Sequence, residues 1–306
     1  MKESNYLGID IGGSAIKYGW GNCQRGLLSF ERLVLADNSL QTLQAGILHL
    51  LKSVDKSFGI VNISGIGVGI PGTIDFKTGK IVGVNPNLPG CTNLDPKSLF
   101  PDELVKMVSV DNDANLMALA EAERLPDCSN VIGITIGSGI GCGFVQNGEI
   151  YHGAHGYAME VGHITIKENG AKCNCGRYGC LEAYTSVNGL INLIKSTLPH
   201  LKPKTIKDIF DLAKEENIIE AYLNDSIACL SVAIANLAIV FDADAIAIGG
   251  GVVELPEYPF AVLQKKILDL IPEPLKNQII VSKAFYGNQA GVIGGITLSE
   301  KQDKRV

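Results

Sequence analysis

Tyr6-Leu7-Gly8-Ile9-Asp10-Ile11-Gly12-Gly13-Ser14 carries an apolar strand straight into a glycine loop. The run Tyr6 to Ile11 is short and apolar, and the paired glycines end it. Gly-Gly after a strand leaves backbone N–H groups with no Cβ in front of them, an arrangement that can bind phosphate. The same order recurs about 125 residues later, as Val131 to Ile136 followed by Gly137-Ser138-Gly139-Ile140-Gly141. Antiparallel strands follow in both places. In the first half these are Ile16 to Trp20 and Leu28 to Leu35; in the second, Cys142 to Gln146 and Glu149 to Tyr151 flank the hairpin signal Asn147-Gly148. The repeat is one of pattern, not of sequence, and predicts two related α/β halves. A third strand, Ala245 to Ile248, runs into Gly249-Gly250-Gly251.

Between these strands, Leu40, Leu43, Ile47, Leu50, Leu51 and Val54 recur at helical spacing and predict a helix over 39–57. Ile63 to Ile70 is a strand stopped by Pro71-Gly72. Val108 to Val110 is a short strand, and Asn112 to Leu125 a helix capped by Asp111 or Asn112. Residues 181–241 are mostly helical. A last helix from about Gly291 to Lys301 is expected to pack back on the first half. The domain division drawn from this is 1–116 with about 291–306, a small α/β domain, and 117–290, a larger α/β domain carrying a Cys-rich module.

The 306 residues are 46% hydrophobic and 19% charged, a globular profile that includes 35 glycines. A net charge of -6 and the absence of any Lys/Arg run argue against nucleic acid as a partner. No membrane is expected either: the most apolar stretch, Ile227 to Phe241, contains Ser231 and Asn236 between Asp225 and Asp242, and reads as a buried core helix. With no apolar leader after Met1 and only 8 cysteines, the chain reads as cytoplasmic, and Cys23, Cys91, Cys128, Cys142 and Cys229 as reduced thiols.

Neither the Walker pattern nor the dinucleotide fingerprint occurs, so the glycine loops stand as phosphate cradles of another kind. Asp10 at a strand end suits Mg²⁺ or its water. Asp111-Asn112-Asp113 clusters polar groups where a strand meets a helix. Capping needs one of them. Asp113 can serve as the base that phosphoryl transfer to a hydroxyl requires, and Asn112 can orient that hydroxyl. His163, Cys173, Cys175 and Cys180 have the composition of a closed, structural zinc site. Glu160 and Glu182 bracket that module, where carboxylates can accept hydrogen bonds from sugar hydroxyls.

Six ordered segments together resemble the ROK family of repressors, open-reading-frame proteins and sugar kinases. They are Asp10 to Ser14, Gly69 to Gly72, Asn112 to Asn115, Gly137 to Gly141, Glu160 to His163 and Cys173 to Glu182. The resemblance implies a two-domain actin-like ATPase (ribonuclease H-like) fold with a ligand cleft between domains. It implies an ATP-dependent hexose kinase, glucokinase-like, acting on the 6-hydroxyl, with N-acetylmannosamine or N-acetylglucosamine as alternative acceptors. Asp113 would be the catalytic base. Gly72, Asn112, Asp113, Glu160, His163 and Glu182 would bind the sugar, His163 also serving zinc. ATP would be held by Asp10, Gly12, Gly13, Ser14 and Lys17, by Gly137, Ser138, Gly139 and Gly141, and by Gly249, Gly250 and Gly251 near the nucleoside. The cofactors implied are ATP, Mg²⁺ and structural Zn²⁺, and the assembly implied is a homodimer.

Two positions depart from the family. Ser14 replaces the usual Thr and keeps the hydroxyl. Asn85 to Cys91 resembles the Asn-Leu loop of glucokinases, with Cys91 where a Trp is usual. A non-catalytic sugar sensor or a ROK-type regulator is the competing class. Family repressors carry a helix-turn-helix ahead of the first loop, and nine residues before Asp10 leave no room for one.

Overall fold

Strand β1 (Asn5–Ile11) lies at the middle of the first sheet in the computed structural model, which describes residues 4–82 and 88–305. It pairs antiparallel with β2 (Ala15–Asn22), placing Asp10 opposite Lys17. The short strands β3 (Gly26–Leu27) and β4 (Glu31–Val34) both pair with β2. One strand is predicted over Leu28 to Leu35. It is shorter because the Leu28 and Ser29 N–H groups both turn onto the Trp20 carbonyl, at 2.9 and 3.3 Å.

Helix α1 (Leu40–Ser57) starts at Ser39, whose hydroxyl accepts from the Thr42 N–H at 3.2 Å. Its Leu43, Ile47, Leu50 and Val54 are fully buried, as the spacing predicts. Strand β5 (Ile63–Ile70) lies parallel to β1 and is followed by the small hairpin of β6 (Thr73–Asp75) and β7 (Lys80–Val82). Strand β8 (Val108–Asn112) lies parallel to β5 and runs directly into helix α2 (Asp113–Glu123). The register sets Asp10 beside Gly69 and Gly69 beside Asp111, so the C-terminal ends of three parallel strands come level. In open α/β sheets ligands bind at such ends.

The second sheet repeats this plan. β9 (Asn130–Ile136) pairs antiparallel with β10 (Ile140–Gln146). After Asn147 and Gly148, both at positive φ, comes the short strand β11 (Glu149–Ile150). Four helices follow: α3 (Glu182–Thr185), α4 (Val187–Thr197), α5 (Ile206–Ala213) and α6 (Asn217–Phe241). α6 is long and apolar enough to cross a membrane by length and composition. It buries Ile227, Leu230, Ala233 and Ile234 against protein, as a core helix does. β12 (Ala245–Gly249) then lies parallel to β9, and helices α7 (Phe260–Leu270) and α8 (Glu273–Lys276) lead to β13 (Ile280–Lys283), parallel to β12. Each sheet therefore joins an antiparallel pair to two further parallel strands, which is the two-domain actin-like ATPase plan.

Helix α9 (Ala290–Asp303) packs on β1, β5 and α2, closing the first unit. That unit comprises Met1–Arg124, Gly148–Ala158 and Asn288–Val306; the second comprises Leu125–Asn147 and Met159–Gly287.

Candidate functional site

Within the first unit, Asp10 stands at the end of β1 and its Oδ2 lies 3.0 Å from Lys17 Nζ. The paired register of the hairpin puts both side chains on one face. Gly291, near the start of α9, lies against this carboxylate: a Cβ there would sit 2.7 Å from Asp10 Cγ. Gly12 and Ala15 close the first loop through a 2.9 Å backbone bond, and Ser14 is exposed beside it.

Asn112 is the N-cap of α2. Its Oδ1 accepts from the Ala114 and Asn115 N–H groups at 2.9 and 3.3 Å, and its Nδ2 donates to the Gly72 carbonyl at 3.1 Å. The cap is therefore Asn112, leaving Asp113 as the first helical residue with its carboxylate at the positive end of the helix. The Ala114 N–H donates to Asp113 Oδ1 at 3.0 Å. Burial nevertheless raises the Asp113 carboxyl to about 7, and the charge of Asp10 adds to the rise; the Ala114 N–H and Lys17 oppose it. A carboxyl poised near neutrality is suited to accepting a hydroxyl proton at physiological pH. Asp10, Lys17, Asp113, Asn112 and Gly72 thus belong to the strand ends of a single sheet.

In the second unit the loop after β9 and the loop after β12 are neighbours, joined by the Val252 N–H donating to the Ile136 carbonyl at 3.2 Å. The first turn of α4 holds the outer side of the Gly137 loop. Val187 N–H donates to the Gly137 carbonyl at 3.0 Å and Asn188 N–H to the Ser138 carbonyl at 3.3 Å. With its carbonyls tied down, the loop keeps Ser138 exposed. Glu182 Oε2 accepts from the Ile140 N–H at 3.0 Å. A Cβ on Gly139 would stand 2.6 Å from that same oxygen, so a side chain there would displace the Glu182 carboxylate from the Ile140 N–H.

His163, Cys173, Cys175 and Cys180 bring one ligand atom each to within 4.8 Å of one another. Cys173 Sγ is 3.7 Å from His163 Nδ1, and Cys175 Sγ is 3.7 Å from Cys180 Sγ. A tetrahedral ion with Zn–S of about 2.3 Å needs ligand separations of about 3.7 Å, so the donor set fits zinc. Binding through Nδ1 leaves His163 Nε2 free for a second partner. Burial pushes the Cys173 thiol up, and a cation beside it would favour the thiolate. Arg177 braces the module by donating to the His163 carbonyl at 3.2 Å and to Thr165 Oγ1 at 3.1 Å. Glu160 is exposed and opens the short turn Val161–His163.

Sequence reading passes over Arg177, Gly291 and His152. The last bonds the buried Asp111, with Nε2 and Oδ2 2.7 Å apart. Its only sequence signal is a histidine in the glycine-bearing stretch His152 to Gly156. Of the Asn-Leu loop, Asn85, Pro86 and Asn87 lie outside the described residues, whereas Leu88 and Cys91 are fully buried.

The family model of ROK matches residues 6–302. A glucokinase of Halalkalibacterium halodurans is 32% identical over 99% of this chain and 97% of its own. An N-acetyl-D-glucosamine kinase of Vibrio cholerae is 30% identical over 97% of this chain and 100% of its own. Among solved structures, the ROK hexokinase of Thermus thermophilus superposes with a TM-score of 0.82 at 25% identity, covering 99% of this chain and 100% of that one. A ROK family glucokinase of Streptomyces griseus, in complex with glucose and AMPPNP, superposes with a TM-score of 0.80 at 24% identity, covering 97% and 100%.

Proposed function

The chain belongs to the ROK family, and from that premise we propose that it is an ATP-dependent hexose kinase whose preferred acceptor is the 6-hydroxyl of glucose. The observation that carries the reading is Asp113, a carboxyl near neutrality at a helix N-terminus, on the same strand ends as Asp10 and the first glycine loop. Asp113 takes the proton of the sugar hydroxyl as its oxygen attacks the γ-phosphorus; the bond to the β-phosphate oxygen breaks and ADP leaves.

The loops of Gly12 and Gly13 and of Gly137, Ser138, Gly139 and Gly141 hold phosphates, with Ser14 and Lys17 beside the first and Gly249 to Gly251 near the nucleoside. Asp10 holds Mg²⁺, which supplies positive charge to the phosphates. Gly72, Asn112, Glu160, His163 and Glu182 bind the sugar. A structural zinc bound by His163, Cys173, Cys175 and Cys180 fixes the segment that carries the last three of these. We further propose that the enzyme is a cytoplasmic homodimer. Val240 and Ile239 of α6, 73% and 45% exposed, supply apolar surface for association.

N-acetylglucosamine is the second reading, because a kinase named for that sugar is almost as similar to this chain as the glucokinase. Measuring ADP release with glucose, N-acetylglucosamine and N-acetylmannosamine tests both readings. Turnover with none of the three removes the kinase assignment in favour of a non-catalytic sugar sensor.

A further inference from the structure

We infer that His152 is a positioning residue for phosphoryl transfer, acting through Asp111 on the N-terminus of α2; the inference rests on the kinase reading above. Asp111 is 1% exposed. Its Oδ1 accepts from the Asn112 N–H and from Asn115 Nδ2, both at 2.8 Å. Its Oδ2 faces His152 Nε2 at 2.7 Å. A carboxylate so deeply buried is stable only while its oxygens are hydrogen-bonded. Two of these bonds reach the N-cap and the first turn of α2, and the His152 bond fixes the plane of the carboxylate that makes them.

The consequence passes forward along the strand end. Asn112, held from behind by Asp111, caps the helix on which Asp113 stands and reaches across to the Gly72 carbonyl at 3.1 Å. His152, Asp111, Asn112 and Gly72 thus form one line of hydrogen bonds behind the base, and the line meets Asp113 at the Ala114 N–H, which Asn112 Oδ1 and Asp113 Oδ1 share. Displacing a reacting group by about 1 Å can cost 10²-fold in rate, so the line matters to chemistry more than to binding of the nucleotide.

Two features make His152 separable from simple packing. Its side chain is 31% exposed, and one face meets the Phe76 ring with centroids 4.0 Å apart. It also lines a cavity of about 370 Å³ together with Phe76, Leu119, Lys301 and Gln302. Truncating the imidazole opens the Asp111 carboxylate to that cavity, where a small donor from solution can take its place.

The test uses the full chain with ATP and the hexose it turns over. His152→Ala should lower kcat about 10-fold or more with little change in the KM for ATP, and added imidazole should restore part of kcat. His152→Phe keeps a ring against Phe76 but has no donor; it should fold, lose kcat similarly and gain nothing from imidazole. Wild-type kcat in His152→Phe overturns the inference whether or not the alanine variant folds. A loss in His152→Ala that imidazole does not repair, or one carried equally by the KM for ATP, also overturns it. Absence of hexose turnover in the wild-type protein sinks the kinase reading instead, so the two failures are distinct.

Discussion

Glu182 joins the second glycine loop to the His-Cys cluster: its Oε2 accepts the Ile140 N–H at 3.0 Å, and its Oε1 lies 3.9 Å from Cys173 Sγ. From sequence, the metal module borders the sugar residues alone. The geometry extends its reach to the loop proposed for phosphate. Chelation of zinc, or Cys175→Ser, should therefore raise the KM for ATP as well as that for sugar, each by about 10-fold. Metal analysis should find about one zinc per chain in the parent, as a single four-ligand site requires. A demetallated sample with an unchanged KM for ATP would separate the cluster from the loop.

Asp113→Asn should reduce kcat by roughly 10²-fold or more, the usual worth of a positioned base. The amide keeps an oxygen for the Ala114 N–H, so binding of sugar should survive. Calorimetric titration with glucose alongside steady-state turnover checks both halves, and turnover near that of the parent would remove Asp113 from the role.

The raised carboxyl of Asp113 sets two pH dependences. In the free enzyme kcat/KM should rise with pH through about 7, as the base loses its proton. Stability runs the other way. A carboxyl whose folded value is raised contributes stability that is present below its ordinary value of 3.8 and lost as pH rises through about 7. Asp113→Asn should therefore be more stable than the parent at pH about 8, by roughly 1–2 kcal/mol once residual solvent screening is allowed for. The two proteins should converge below the ordinary carboxylate range. Urea denaturation of both across this span is the measurement, and a variant less stable at the alkaline end would contradict the assignment.

Gly139→Val should weaken ATP binding by roughly 10-fold, because the new side chain pushes the Glu182 carboxylate off the Ile140 N–H that it holds, and a hydrogen bond to a charged group is worth about 1.5–3 kcal/mol. The circular dichroism of the variant should match the parent. Equal ATP affinity in the folded variant would make the loop a turn and nothing more.

What the sequence makes legible follows from how local each signal is. Period, apolar runs and glycine breaks are read within a few residues, and they locate α1, β5, β9 and the three loops. The Leu28 to Leu35 strand is misjudged because two N–H groups share the Trp20 carbonyl, a matter of pairing that no window over those residues contains. The His-Cys set that could hold a metal is legible because three of its four members fall within eight residues. His152 is not, because its importance comes from Asp111, 41 residues away and reached only through the fold. Gly291 is read as part of a helix; that it must lack a side chain is a fact about Asp10.

Helix α9 has a consequence for the order in which the protein can be made. It covers β1, β5 and α2, its Gly291 abuts Asp10, and its Asp303 accepts from the Tyr6 hydroxyl at 2.8 Å. The ribosome synthesises the first sheet well before the helix that roofs it. Throughout elongation the Asp10 strand is present but uncovered, with its apolar face open to chaperones and to other nascent chains. Leu125–Asn147 and Met159–Gly287, which form the second unit, are all translated in the meantime. The unit whose sheet is translated first is therefore completed only after all of the second unit has been translated, and a chain cut before Ala290 lacks the helix that covers β1.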